Sequence, residues 1–138
     1  MIYLALGSNL GDREWYLEQA KALLAERLRV DMLCSQILET EALGFEGPAF
    51  LNQAVVFVSD IDPEALLDIC QAVEVQLGRA PHEVRFDADG RRIFENRTID
   101  IDILSVGDLH LRTDRLVLPH PQVEERPYIK ELLNDITI

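Results

Sequence analysis

Cysteine is scarce in this 138-residue chain, and an excess of positive charge is absent. Cys34 and Cys70, the two cysteines, stand far apart with no second cysteine or histidine at metal-ligand spacing. That pattern excludes a disulfide framework and a zinc site, and predicts a small core hydrophobe at each position. Thirteen basic residues face 25 acidic ones, for a formal net charge of −12. A general nucleic-acid or membrane-surface binder carries the opposite balance, so neither partner is expected, and a bound polyanion would need local positive charge. No apolar run reaches membrane-spanning length, and the opening MIYLALGSNLGD lacks the basic start and long apolar stretch of a signal peptide. A cytoplasmic protein is expected. Internal repeats and low-complexity tracts are missing as well.

What the chain does have is 48% hydrophobic residues within the usual size of one domain, so residues 1–138 read as a single domain able to bury a core, expected to be monomeric. IYLAL (2–6), closed by Gly7, reads as a buried strand. A helix follows from about Asp12, with Tyr16, Ala20, Leu23, Leu24 and Leu28 at helical spacing. VDMLCSQILET (30–40) is β-rich and runs into EALGFEGPAF (41–50), where glycines and a proline mark a loop. FLNQAVVFVSD (50–60) gives the clearest strand. A second helix has Asp62 as N-cap, Pro63 at its first position, Gly78 as its stop, and an apolar stripe of Leu66, Cys70, Val73 and Leu77.

RAPHEVRFDADGRRIFEN (79–96) is polar, carries both signs of charge and holds an Asp-Gly turn signal at Asp89 and Gly90. It predicts a mobile lid or a protruding hairpin. Another strand follows, and LPHPQVEERPYI (118–129), punctuated by proline, reads as irregular. The order strand, helix, strand, strand, helix, strand predicts an α+β, ferredoxin-like βαββαβ core: an antiparallel sheet with two helices on one face and the other face available to a ligand. That plan hosts many functions, so function rests on the site.

NRTIDIDILSVGD (96–108) is the unusual strand. Ile99, Ile101 and Ile103 would face the core while Thr98, Asp100 and Asp102 face out, which sets two like charges side by side. Two readings stay open on these residues alone. One is a half-buried strand with a solvated polar face. The other is a carboxylate pair waiting for a hard cation such as Mg²⁺, which is commonly held by one or two carboxylates together with substrate phosphates.

ALGSNLGD after the first strand, TEALG and FLNQAV around the loop, VEVQLGR closing the second helix, NRTIDIDIL, and RLVLPHPQVEERPY follow one another at characteristic intervals. In this order they resemble the 6-hydroxymethyl-7,8-dihydropterin pyrophosphokinases of folate biosynthesis, over nearly the whole chain. The resemblance implies transfer of pyrophosphate from ATP to a pterin alcohol, with release of AMP. It implies that Asp100 and Asp102 hold two Mg²⁺ ions bridging the ATP phosphates, and that Arg97 acts beside them. Gln71, Glu74, Arg79, His120 and Arg126 match nucleotide-site positions, and Arg91 and Arg92 are further candidates to reach the triphosphate. Phe50 and Tyr128 match the two rings that sandwich the pterin. Thr40 and Asn52, with backbone at Ala42 and Leu43, match the groups that read its edge. The resemblance also implies that the turn at Gly7, Ser8 and Asn9 lies beside the substrate site. The chain departs from the family pattern in its lid, where RIFENRT (92–98) places Phe94 at the position of a family tryptophan.

Overall fold

The computed structural model describes residues 1–41, 49–78, 98–121, 123 and 126–136. The expected lid or hairpin at 79–96 lies outside these residues. Strand β1 (Ile2–Ser8) leads through a tight turn into helix α1 (Arg13–Leu28). Asp12 is the N-cap, its carboxylate accepting the Trp15 N–H at 3.1 Å. Gly11, at φ +68°, adopts the left-handed conformation that lets the chain turn under the Tyr16 ring. Helix α1 buries Leu17, Ala20 and Leu24, and Tyr16, Leu23 and Leu28 pack partly buried around them. Leu17 was not in the predicted stripe, although it stands at i−3 and i−7 from the other two buried residues.

The β-rich stretch forms two short strands, β2 (Leu33–Cys34) and β3 (Leu38–Thr40). Between them Ser35 breaks the ladder: its N–H donates to the Ala54 carbonyl and its hydroxyl accepts the Ala54 N–H, each at 2.9 Å. Strand β4 (Phe50–Phe57) and helix α2 (Pro63–Gln76) follow. The α2 start is as predicted, with Asp62 accepting from the Glu64 and Ala65 N–H groups at 3.1 and 3.3 Å, and Gly78 at φ +98° just past its end. Strand β5 (Asp100–Val106) precedes a small hairpin of β6 (Leu111–Arg112) and β7 (Val117–Leu118).

The stretch expected to be irregular runs at its end into helix α3 (Pro127–Asp135). Pro127 serves as an N-terminal helix residue rather than a breaker, and Ile129, Leu132, Leu133 and Ile136 repeat at i, i+3, i+4 and i+7.

The sheet order is β2-β4-β1-β5, with β3 pairing to the same edge of β4 as β2, and every pairing is antiparallel. This is the ferredoxin-like arrangement the sequence predicts. One face carries Ile2, Leu4, Leu6, Val55, Phe57, Ile101 and Ile103, covered by α1 and by Leu66, Cys70 and Val73 of α2. Full burial of each large aliphatic side chain contributes roughly 1.5–3 kcal/mol, so this layer dominates stability. Cys70 joins that core as expected, whereas Cys34 is exposed, because β2 lies on the sheet edge and turns both its residues to solvent. On the opposite face α3 covers only part of the sheet, packing Leu132 and Ile136 onto Ala54 and Val56. No helix among the described residues is long and apolar enough to cross a membrane.

Candidate active site

The part of the open face that α3 leaves uncovered is set by strand register. Asp100 pairs with Gly7, Gly7 with Asn52, and Asn52 with Leu38, so one row crosses the whole sheet. The neighbouring row aligns Asp102, Ala5 and Ala54. Paired residues share a face. Both aspartates therefore project, half-buried, toward the same open surface as Asn52, while Ile99, Ile101 and Ile103 are buried on the other side.

At the β3/β4 end, Asn52 is only 7% exposed and its amide nitrogen is tied down three times. It donates to Thr40 Oγ1 at 2.8 Å, to the Leu38 carbonyl at 3.2 Å and, weakly, to the Phe50 carbonyl at 3.5 Å. Thr40 pairs directly with Phe50. These three residues form one unit, with the amide orientation fixed by its donors. A Cβ added to Gly7 would stand 3.5 Å from Asn52 Oδ1 and 3.6 Å from Phe50 Cδ1. The glycine thus leaves a recess floored by bare backbone and walled by an amide and an aromatic ring.

Ser8 and Asn9 continue that strand end and are fully buried. Ser8 lies on the helix-covered face with Leu4 and Leu6, and its hydroxyl has no hydrogen-bond partner among the described residues. Tyr128, in the first turn of α3, is half-buried against the Ala54 and Val56 cluster. Its hydroxyl accepts from Arg126 Nη1 at 2.8 Å, and the Arg126 guanidinium lies 5.9 Å from its ring centre.

A second group borders β5 from its outer edge. Glu74 on α2 is 5% exposed, and its Oε2 accepts the Ile101 N–H at 2.8 Å. The His120 N–H donates to the Leu104 carbonyl at 2.8 Å, fastening the segment after the cis Leu118–Pro119 peptide to the same edge. Gln71, half-buried, accepts from Arg115 at 3.4 Å. Arg115 also pairs with Asp68 at 2.6 Å and Glu64 at 2.9 Å, and the hydrogen bond to Asp68 pushes this guanidinium further up in basicity. Beneath β5, burial pushes the Cys70 thiol pKa up, and the negative charges of Glu74 and Asp102 add to the shift.

The structure therefore gathers Asp100, Asp102, Gly7, Thr40, Phe50 and Asn52 on one exposed stretch of sheet, with Glu74, Gln71 and His120 around its β5 edge. Ala42, Leu43, Arg79, Arg91, Arg92 and Arg97 lie outside the described residues. Arg13 and Arg115 were not singled out from sequence, where nothing distinguishes either from a solvated surface cation.

Two carboxylates on one strand face are hard oxygen donors of the kind Mg²⁺ accepts when phosphate and water oxygens complete its shell. Among the described residues no group of three or more His, Cys, Asp or Glu could hold a metal ion by itself. The donor set fits a cation shared with a phosphorylated substrate better than a closed structural site.

The family model for 7,8-dihydro-6-hydroxymethylpterin-pyrophosphokinase (HPPK) matches residues 3–138. The 2-amino-4-hydroxy-6-hydroxymethyldihydropteridine pyrophosphokinase of Bacillus subtilis (strain 168) is 41% identical over 136 residues, covering 97% of this chain and 76% of that protein. The protein of the same name from Porphyromonas gingivalis is 38% identical over 142 residues, covering 99% and 90%. A folate synthesis bifunctional protein of Arabidopsis thaliana is 30% identical over 136 residues, 98% of this chain but 26% of the longer relative. A match that takes in the aspartate strand, the Asn52 unit and the segment carrying His120 and Tyr128 together places this chain in the HPPK family.

Proposed function

We propose that the chain transfers pyrophosphate from ATP to 6-hydroxymethyl-7,8-dihydropterin, releasing AMP, as a step of folate biosynthesis. The observation that carries this reading is the row linking Asp100 through Gly7 to Asn52, which sets a carboxylate pair and a polar, aromatic-walled recess on one open face. Pyrophosphoryl transfer needs those two features side by side. The pterin hydroxymethyl oxygen must approach the β-phosphorus of ATP in line with the departing AMP oxygen, and positioning supplies much of the rate.

Asp100 and Asp102 would hold Mg²⁺, two ions in this reading. When bound, the metal neutralises triphosphate charge and draws electron density toward the leaving AMP. Without cations, an acidic chain presenting this pair would repel ATP. Thr40 and Asn52, with backbone at Ala42 and Leu43, orient the pterin edge, while Phe50 and Tyr128 offer aromatic faces to its flat bicycle. Gln71, Glu74, Arg79, His120 and Arg126 serve the nucleotide. Arg97, with Arg91 and Arg92, supplies local positive charge to the phosphates that the overall composition does not.

The test is the nucleotide product formed from ATP, Mg²⁺ and 6-hydroxymethyl-7,8-dihydropterin. Pterin-dependent AMP, lost in Asp102→Ala while the far-UV spectrum is kept, is expected. ADP in place of AMP, or AMP formation indifferent to pterin, overturns the assigned chemistry.

A further inference from the structure

Arg13 occupies the first turn of α1, where the helix dipole disfavours a cation. Its side chain does not simply project into solvent. Nη1 donates to the Ala49 carbonyl at 2.8 Å and to Glu39 Oε2 at 3.2 Å, partners 36 and 26 residues away in sequence. The ion pair with Glu39 is exposed and worth little by itself. The bond to the Ala49 carbonyl is part-buried and charge-assisted, which makes it the stronger tie.

The place of those two anchors gives the tie its meaning. Strand β3 has three residues, lies on the sheet edge, and pairs with β4 through only three rungs: Leu38 with Asn52, Glu39 with Leu51, and Thr40 with Phe50. The last rung of so short a ladder is the first to fray. Glu39 immediately precedes Thr40 and Ala49 immediately precedes Phe50, so Arg13 fastens both sides of that terminal rung. Alternation puts Glu39 opposite Leu51, on the helix-covered face, with Thr40 and Asn52 on the open one. Arg13 thus meets Glu39 on the side of the sheet opposite Thr40 and Asn52.

We propose that Arg13 is a positioning residue of the acceptor subsite: by locking the end of the β3/β4 ladder, it holds Thr40, Phe50 and Asn52 at the spacing that binds the pterin. The proposal rests on the pyrophosphokinase reading for the identity of the acceptor. When the rung opens, the 2.8 Å bond from Asn52 to Thr40 is lost, the amide is left to its longer bonds to the Leu38 and Phe50 carbonyls, and the Phe50 wall moves with the backbone beside it. On the ATP side, Glu74 and Gln71 of α2 make their described bonds elsewhere, to the Ile101 N–H and to Arg115.

The experiment compares wild type, Arg13→Met and Arg13→Lys in AMP formation, varying pterin and ATP separately, with pterin Kd measured by calorimetry. In Arg13→Met, which keeps the apolar stem, the pterin KM and Kd are expected to rise about tenfold. The ATP KM is expected to stay within about twofold, because its contacts lie elsewhere. Arg13→Lys, retaining a charged donor able to reach one acceptor, recovers most of the loss. Equal rises for both substrates, unchanged pterin binding with a lower melting temperature, or a lysine variant no better than methionine each overturn the proposal. If Arg13→Met does not fold, Arg13→Lys and Glu39→Gln are compared by the same split, and no selective change in pterin binding in either overturns it. A wild type that binds pterin without forming AMP defeats the assigned reaction but leaves the Arg13 comparison to be decided by Kd. A wild type that binds no pterin defeats both.

Discussion

Gly7→Ala separates stability from function at the centre of the open face. Gly7 lies mid-sheet between Asp100 and Asn52, and its backbone is ordinary extended strand rather than the left-handed conformation seen at Gly11. A new Cβ would meet Asn52 Oδ1 at 3.5 Å and Phe50 Cδ1 at 3.6 Å, both ordinary van der Waals contacts, so nothing must shift. Alanine also narrows the unfolded ensemble, and the fold is expected to gain about 0.4–1 kcal/mol, a rise of a few degrees in melting temperature. The same methyl fills the recess where the pterin is proposed to rest. Lifting the ring by more than about half an ångström stretches its hydrogen bonds past useful length, and losing one or two of them is worth about 1–3 kcal/mol, or roughly fivefold to 150-fold in pterin KM. Steady-state AMP release with pterin varied, beside a thermal melt, reads both signs. A more stable variant with unchanged pterin KM would refute the placement of the acceptor; a destabilised one would refute the claim that the floor tolerates a side chain.

Asp100→Asn removes charge while keeping shape, and AMP formation at ordinary Mg²⁺ is expected to fall by roughly a thousandfold, with partial recovery at high Mg²⁺; insensitivity to the metal concentration would argue against a cation at this pair. Glu74→Leu strips the buried acceptor from the Ile101 N–H and should cost about 1–3 kcal/mol in urea unfolding, whereas Glu74→Gln, which keeps an acceptor oxygen, should recover most of that; a leucine variant as stable as wild type would contradict the hydrogen bond's importance. The raised Cys70 thiol makes stability pH-dependent at the alkaline end. Its contribution is complete below the unfolded-state pKa and is lost as pH rises, because the unfolded thiol ionises first. Above about pH 8.5 the slope approaches a loss of about 1.4 kcal/mol per pH unit. Cys70→Ala should flatten that slope in urea titrations between pH 8 and 10, and an unchanged slope would assign it to another group.

The isoleucine and aspartate alternation of β5 was legible because a half-buried strand writes its two faces directly into sequence. The start of α2 was equally plain, since Asp62 and Pro63 satisfy or remove backbone donors locally. Helix α3 was missed because Pro127 was weighed as a breaker when it stands where a helix accepts it. The split between β2 and β3 depends on contacts no local pattern reveals: Gln36 gives its N–H to the carboxylate of Asp135, 99 residues on. Glu74 carries the same lesson. A carboxylate on a helix reads as solvated, and its burial follows only from the position of the β5 edge beside it. The site was visible in sequence where strand periodicity aligns residues on one face, and invisible where a side chain such as Arg13 crosses from one element to another.

The outer edge of β5 bears on how the molecule behaves at high concentration. An open edge with free N–H and C=O groups is a template on which another chain can pair. Here the Ile101 N–H is taken by the Glu74 carboxylate and the Leu104 carbonyl by the His120 N–H. A strand arriving at these positions would have to displace a buried carboxylate and peel away the segment around His120. The residues that border the proposed nucleotide site thus also shield the sheet from edge-to-edge self-association, so a variant that loosens Glu74 or His120 is expected to lose solubility along with activity.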